Sequence, residues 1–286
     1  MAGFYESALG FLRREERSIG SAALGSLLCI PGAEAHIITM KLGKQTIELV
    51  NIKPAGHPYP EEVSGWSSLF QHFAIVVSDM AAAYARLWAH KGWHPISLVG
   101  AQVLPASSGG VTAFKFRDPE GHPLELLAFT PGAMPEPWKK AGDRDFLGID
   151  HSAISVADTF RSVEFYRQLG FQRSGGSLNT GPAQDRLDNA KGAVVEVTAL
   201  APPEEPPHVE LLCYREVSRH DPRVSAINDV AATQLMLEAS SIGALHAFHA
   251  QNADAFVSRL VAFEDGVARA IVRDPDGHLI RLEAPL

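Results

Sequence analysis

Cysteine is scarce in this chain: Cys29 and Cys213 stand far apart, in neither a C-x-x-C pair nor a zinc-type cluster. A disulfide scaffold and a thiolate metal site are thereby disfavoured, and the expectation is a pair of buried, reduced core thiols in the cytoplasm. Long apolar runs are also missing. The apolar stretch at 19–31 is short and interrupted by Gly and Ser, too little to span a bilayer. The opening MAGFYESALGF lacks the charged-then-apolar layout of a signal peptide. No basic stripe is present, because 25 scattered Lys and Arg face 33 Asp and Glu, a net charge of −8. That balance argues against nucleic acid or an anionic membrane as a partner. What is there is a globular composition of 46% hydrophobic and 20% charged residues, with 286 positions, room for two domains.

The chain repeats itself. FYESALGF at 4–11 returns as FYRQLGF at 165–171, and DPEGH at 118–122 returns as DPDGH at 274–278. A finer repeat links HFAIVVSD at 72–79 with HSAISVAD at 151–158, each a His, alternating apolar residues and an Asp. QLMLEASS at 234–241 is a weaker copy. The alternation predicts a half-buried strand, and the Asp suits the N-cap of the helix that follows. Further strands are read in TIELVNI, VTAFKFRD, PLELLAF, AVVEVTAL, HVELLCY and ARAIVRD. The coarse unit is strand–helix–strand–strand–strand, repeated four times, and the first copy lacks its opening strand. That gap leads to the expectation of a start codon upstream of Met1, since an open sheet edge is costly. Pro, Gly and charge at 131–147 read as a linker between domains at 1–130 and 148–286. The proline cluster at 202–207 reads as a hairpin connection.

These motifs together resemble the vicinal oxygen chelate superfamily of glyoxalases, bleomycin resistance proteins and extradiol dioxygenases. The resemblance spans nearly the whole chain apart from the linker. It implies an α+β fold in which four βαβββ modules pair into two cup-shaped mixed sheets. It also implies a divalent metal (Fe, Mn, Ni or Zn) in a cup, a small-molecule substrate, and a chain that can form a homodimer. Carried over residue by residue, the N-terminal cup is expected to offer Glu48, His72 and Glu125 as metal ligands, with Glu125 and Glu48 as catalytic carboxylates. Two hard oxygens and an imidazole suit such an ion, and Glu125 inside LELLAF needs a partner or a metal to be tolerated there. Its alternative partners are Lys115 and Arg117. The C-terminal cup is expected to hold His151, Glu210, Gln234 and Arg281 as a polar cluster without metal. A guanidinium is no ligand, so an Arg281–Glu210 ion pair is expected in the metal's place, with Glu283 a spare carboxylate on the same strand face.

Fold does not choose the reaction. Extradiol dioxygenases of this resemblance carry a Tyr three residues before the D-P turn and a His ahead of it. Here Lys115 and Ile271 stand at the Tyr positions with no suitable His upstream, which disfavours ring cleavage. A metal-dependent lyase or isomerase acting on a small oxygenated molecule is the first reading. The alternatives are an extradiol-type dioxygenase, or a non-catalytic binder with apolar cups lined by Trp66, Trp88 or Trp93.

Overall fold

The computed structural model describes residues 1–69, 71–130, 132–140, 142, 144–203, 207–215 and 225–286. Parts of the two expected connections, Pro131, Ala141 and Asp143 in one and Glu204, Glu205 and Pro206 in the other, lie outside the described residues. The first module comprises α1 (Ala2–Leu9), β1 (Leu12–Gly20), α2 (Ala22–Leu27), β2 (Glu34–Leu42) and β3 (Gln45–Lys53). The second runs through β4 (Gln71–Val77), α3 (Met80–Trp88), β5 (His94–Pro95), β6 (Gln102–Val103), β7 (Thr112–Arg117) and β8 (Pro123–Ala128). After a short α4 (Glu136–Lys139), the third holds β9 (Phe146–Ser155), α5 (Thr159–Gln168), β10 (Gln172–Thr180), α6 (Pro182–Asp188), β11 (Val194–Ala201) and β12 (His208–Tyr214). The fourth is β13 (Gln234–Glu238), α7 (Ile242–Gln251), β14 (Val261–Ala262), β15 (Val267–Arg273) and β16 (Leu279–Pro285).

Four βαβββ modules, the first without its opening strand, are therefore present. The predicted N-caps are present too. Asp79 Oδ1 accepts from the backbone N–H groups of Ala81 and Ala82 at the start of α3, and Asp158 caps α5 through the Arg161 N–H.

The sheets join differently from the expected pairing of consecutive modules. One nine-stranded sheet runs β10-β11-β12-β9-β4-β8-β7-β5, with β6 also on β7, and unites the second and third modules. At its centre β4 and β9 are antiparallel, while β12 on β9 and β8 on β4 are parallel. The first and fourth modules supply two smaller sheets, β1-β2-β3 and β13-β16-β15-β14. So the strands pair across the halves, and the expected N-terminal and C-terminal cups are replaced by an inner and an outer pairing.

Helix packing keeps to the halves. On one face of the sheet Ile75 and Val77 of β4 and Leu124 and Leu126 of β8 pack with Tyr5, Leu9, Ala83 and Leu87 of α1 and α3. The matching core of the second half joins Tyr166, Leu245, Phe248, Ile280 and Leu282. Burial of each such side chain contributes about 1.5–3 kcal/mol.

The repeated motifs now acquire a cause. Tyr5 Oη donates to Asp118 Oδ2 at 3.0 Å, and Tyr166 Oη donates to Asp274 Oδ2 at 3.2 Å. The helix motif and the turn motif are thus two ends of one buried hydrogen bond, made once in each half. Asp118 Oδ1 also accepts from the N–H groups of Glu120 and His122, closing the turn. Gly121 sits there at φ +100°, and a Cβ on it would come within 2.9 Å of Tyr59, so no other residue fits the turn without strain.

The cysteines depart from expectation. Both are free, but Cys29 is exposed and Cys213 half-buried. Cys29 sits at φ +54° just beyond α2, with its thiol 3.3 Å from the Val257 carbonyl.

Candidate metal centre

The other face of the nine-stranded sheet carries a buried polar cluster. His72 lies on β4, Glu125 on β8, His151 on β9 and Glu210 on β12, the four central strands. His72 Nε2 is 3.2 Å from Glu125 Oε2, and His151 Nε2 is 3.6 Å from Glu210 Oε2. Donor atoms of His72, Glu125 and His151 all fall within 4.8 Å of one another. Each half contributes one His from an opening strand and one Glu from a closing strand. The central antiparallel pairing of β4 with β9 superposes the two contributions.

A bulge prepares His151. Ala74 of β4 pairs with His151 and Ile75 pairs with Ile149, so Asp150 is the extra residue. The kink brings two consecutive side chains together: His151 Nδ1 donates to Asp150 Oδ2 at 3.0 Å, and Trp138 Nε1 holds Asp150 Oδ1 at 2.9 Å. With Nδ1 engaged, Nε2 points toward the carboxylates. This is the carboxylate–imidazole arrangement that orients metal-binding histidines.

Charge in the cluster follows from burial. Desolvation lowers the His72 pKa, only partly offset by Glu125, which keeps this imidazole neutral. For His151 burial alone would also lower the value, but Glu210 and Asp150 outweigh it and raise it to about 9. Glu210 is the reverse case: burial opposes ionisation, yet His151 and His208 bring its pKa down to about 2. Glu125 is lowered as well, because His72 and Lys115 overcome its desolvation.

Beside this cluster sits a second one. Lys115 Nζ on β7 is 2.7 Å from Asp188 Oδ1 of α6 and 3.9 Å from Glu125 Oε2. Burial would depress the lysine pKa, but Asp188 and Glu125 raise it, so the ammonium stays charged. Trp66 packs edge-on to Tyr214 at 6.1 Å near this region, whereas Trp88 and Trp93 belong to the helix side.

The expected ligand sets are regrouped. Glu48 is not near His72. It faces Arg281 Nη2 at 2.8 Å and Arg17 Nη2 at 2.7 Å. Arg281 also pairs with Glu283 at 2.7 Å, so its partners are Glu48 and Glu283 and not Glu210. Gln234 lies on β13 beside Leu279 of β16, in the outer pairing. His151 and Glu210 lie in the inner pairing with His72 and Glu125. Sequence reasoning missed Asp150, Asp188 and Tyr214. An Asp directly before His151 was a legible signal for the first, whereas Asp188 comes from a short helix with no motif.

Paired βαβββ modules with a buried His and Glu from each of two modules define a glyoxalase-like fold with a metal-type donor set. The chain belongs to the Glyoxalase/Bleomycin resistance protein/Dioxygenase superfamily, whose sequence model matches residues 1–126 and 148–282. Among solved structures, glyoxalase I from Zea mays superposes with a TM-score of 0.65 at 15% identity, covering 99% of this chain and 86% of that one. A putative dioxygenase from Bacillus subtilis gives 0.57 at 12% identity, covering 99% and 79%. At such identities these likenesses establish the fold. No helix among the described residues is long and apolar enough to cross a membrane.

Proposed function

We propose that His72, Glu125, His151 and Glu210 hold a divalent metal, and that the protein is a lyase or isomerase acting on a small oxygenated organic molecule. The observation that carries this is the convergence of donor atoms of His72, Glu125 and His151, from both halves, within 4.8 Å of one another, with Glu210 Oε2 3.6 Å from His151 Nε2. Two imidazoles and two carboxylates suit Fe(II), Mn(II), Ni(II) or Zn(II). When bound, such an ion supplies Lewis acidity toward adjacent substrate oxygens.

The protein's own groups divide the remaining work. Asp150 fixes the ring of His151. Glu125, with its side chain 8% exposed, is held between His72 and Lys115, while Glu210 is 23% exposed. Glu210 is therefore the carboxylate placed to exchange a proton with substrate at Oε2, and Glu125 serves as a ligand. Lys115 stands where a ring-cleaving site of this resemblance would need a tyrosine, and its ammonium is committed to Asp188, which favours isomerase or lyase chemistry.

Metal analysis of protein purified without chelator tests the reading. Stoichiometric divalent metal is expected in wild type and in Glu48→Gln, and is expected to be lost in His72→Ala and His151→Ala. A wild type that neither retains nor takes up a divalent ion overturns it.

A further inference from the structure

Three side chains beside the candidate metal centre converge on one carboxylate. Asp188 Oδ1 receives Lys115 Nζ at 2.7 Å, and Asp188 Oδ2 receives Tyr214 Oη at 2.8 Å and Gln184 Nε2 at 2.6 Å. An ammonium, a phenol and an amide donor arranged around both oxygens form a carboxylate-binding site. All four residues are buried, between 4% and 5% exposed. Gln184 belongs to the same helix as Asp188, so the sheet's own contribution is Lys115 and Tyr214, one donor at each carboxylate oxygen.

The carboxylate that fills this site comes from a separate element. Asp188 ends α6, which follows Gly181 at φ +89° and precedes Asn189 at φ +50°. Gly181, with open space around it, starts the helix in a backbone conformation that favours glycine. The donors Lys115 and Tyr214 lie instead on strands β7 and β12 of the rigid sheet. α6 is fastened to the opposite module by buried Leu187, packed with Ala74, Leu104, Ala113 and Leu127, and by three hydrogen bonds: Ser97 Oγ to the Leu187 carbonyl at 2.9 Å, Leu98 N–H to the Arg186 carbonyl at 2.7 Å, and Arg186 Nε to Gln102 Oε1 at 2.7 Å.

We infer that Lys115 and Tyr214 form the anchor for a substrate carboxylate, and that Asp188 occupies it as an internal stand-in until α6 moves aside. Exchange of one carboxylate for another leaves the bonds to Lys115 and Tyr214 intact in number, so the opposing cost is the release of α6. Lys115 Nζ is 3.9 Å from Glu125 Oε2. An acid anchored on Lys115 would thus place its next oxygen-bearing carbon beside the proposed metal, so the substrate class is a small 2-oxo or 2-hydroxy carboxylic acid. That last step rests on the proposed metal site, whereas the anchor does not.

Titration with acetate, pyruvate and the neutral acetamide, on chelator-treated protein at constant ionic strength, tests the anchor alone. Asp188→Ala is expected to bind acetate at least about tenfold more tightly than wild type, to ignore acetamide, and to lose the gain when Lys115→Met is added. A folded Asp188→Ala that binds acetate no better than wild type overturns the inference. The wild type supplies a second reading that needs no variant to fold. Saturating pyruvate is expected to speed hydrogen exchange in α6 relative to acetamide, and an unchanged α6 overturns the inference. Metal content measured on the same wild-type samples before chelator treatment reports separately on the proposed metal site.

Discussion

Arg281 Nη2 and Glu48 Oε2 meet at 2.8 Å, joining β16 to β3 across two sheets that share no backbone pairing among the described residues. Burial would raise the Glu48 pKa, but Arg281 and Arg17 outweigh it and lower it. The pair joins the outer modules as the proposed metal donors join the inner ones.

Arg281→Met should therefore cost about 1–3 kcal/mol, the range for a charged hydrogen bond removed from a largely buried partner. Urea unfolding measures it, and metal content should not change. Arg281→Glu should destabilise further, since the new carboxylate faces Glu48 and Glu283. It should take up no second ion, because among the described residues the partners of Glu48 and Arg281 include no histidine.

Asp150 acts through His151. Asp150→Asn keeps the side-chain volume but weakens the hold on the imidazole, and affinity for the metal should fall about 10–100-fold. Competition with a chromophoric chelator gives the number. His208→Ala, which leaves the Asp150–His151 contact in place, should have the smaller effect.

The tyrosine–aspartate bonds are matched in the two halves, so Tyr5→Phe and Tyr166→Phe should each cost about 1–2 kcal/mol. Tyr5 is fully buried at 3% exposure and Tyr166 at 0%, so water cannot replace the lost hydroxyl. Denaturant midpoints of the two variants and the double variant test the match, and the two losses should add because the sites lie in different cores.

The turn at Asp118 makes stability depend on pH in two opposite senses. Burial opposes ionisation of Asp118, yet its bonds to His122 and Tyr5 lower its pKa. That contribution is present above the unfolded value of about 3.9 and is lost as pH falls through the lower folded value. For His122 burial acts downward, but Asp118 raises the pKa. Its contribution is complete below about 6.5 and is lost as pH rises through the higher folded value. Unfolding free energy should therefore decline in acid and again above neutrality. Asp118→Asn should flatten both limbs in urea titrations run across that range.

Much of this molecule was legible before any coordinates. Alternation in HFAIVVSD and HSAISVAD announced strands, the Asp residues announced helix starts, and the spacing of DPEGH and DPDGH announced a repeat. His72 and Glu125 could be singled out through the family resemblance, and Glu125 also because a carboxylate inside an apolar strand needs a partner. Their partners within the half were legible too, since His72 and Lys115 were both expected beside Glu125, but those from the other half were not. The later modules offer the same kind of opening strand and the first offers none, so the repeat does not name the partner that β4 takes. Asp188 was invisible for a related reason: its helix carries no motif and reaches the site only because the third module lies against the second.

Local sequence thus determined the modules, their turns and the chemical character of His72, Glu125, His151, Glu210 and Arg281, because periodicity, capping and turn formation act over a few residues. Tertiary structure alone decided the grouping. Antiparallel pairing of β4 with β9 brings donors 79 positions apart onto one point, and it leaves Glu48 to Arg281 in the outer modules. Long-range strand pairing is settled by the burial of whole faces, and no short motif records it.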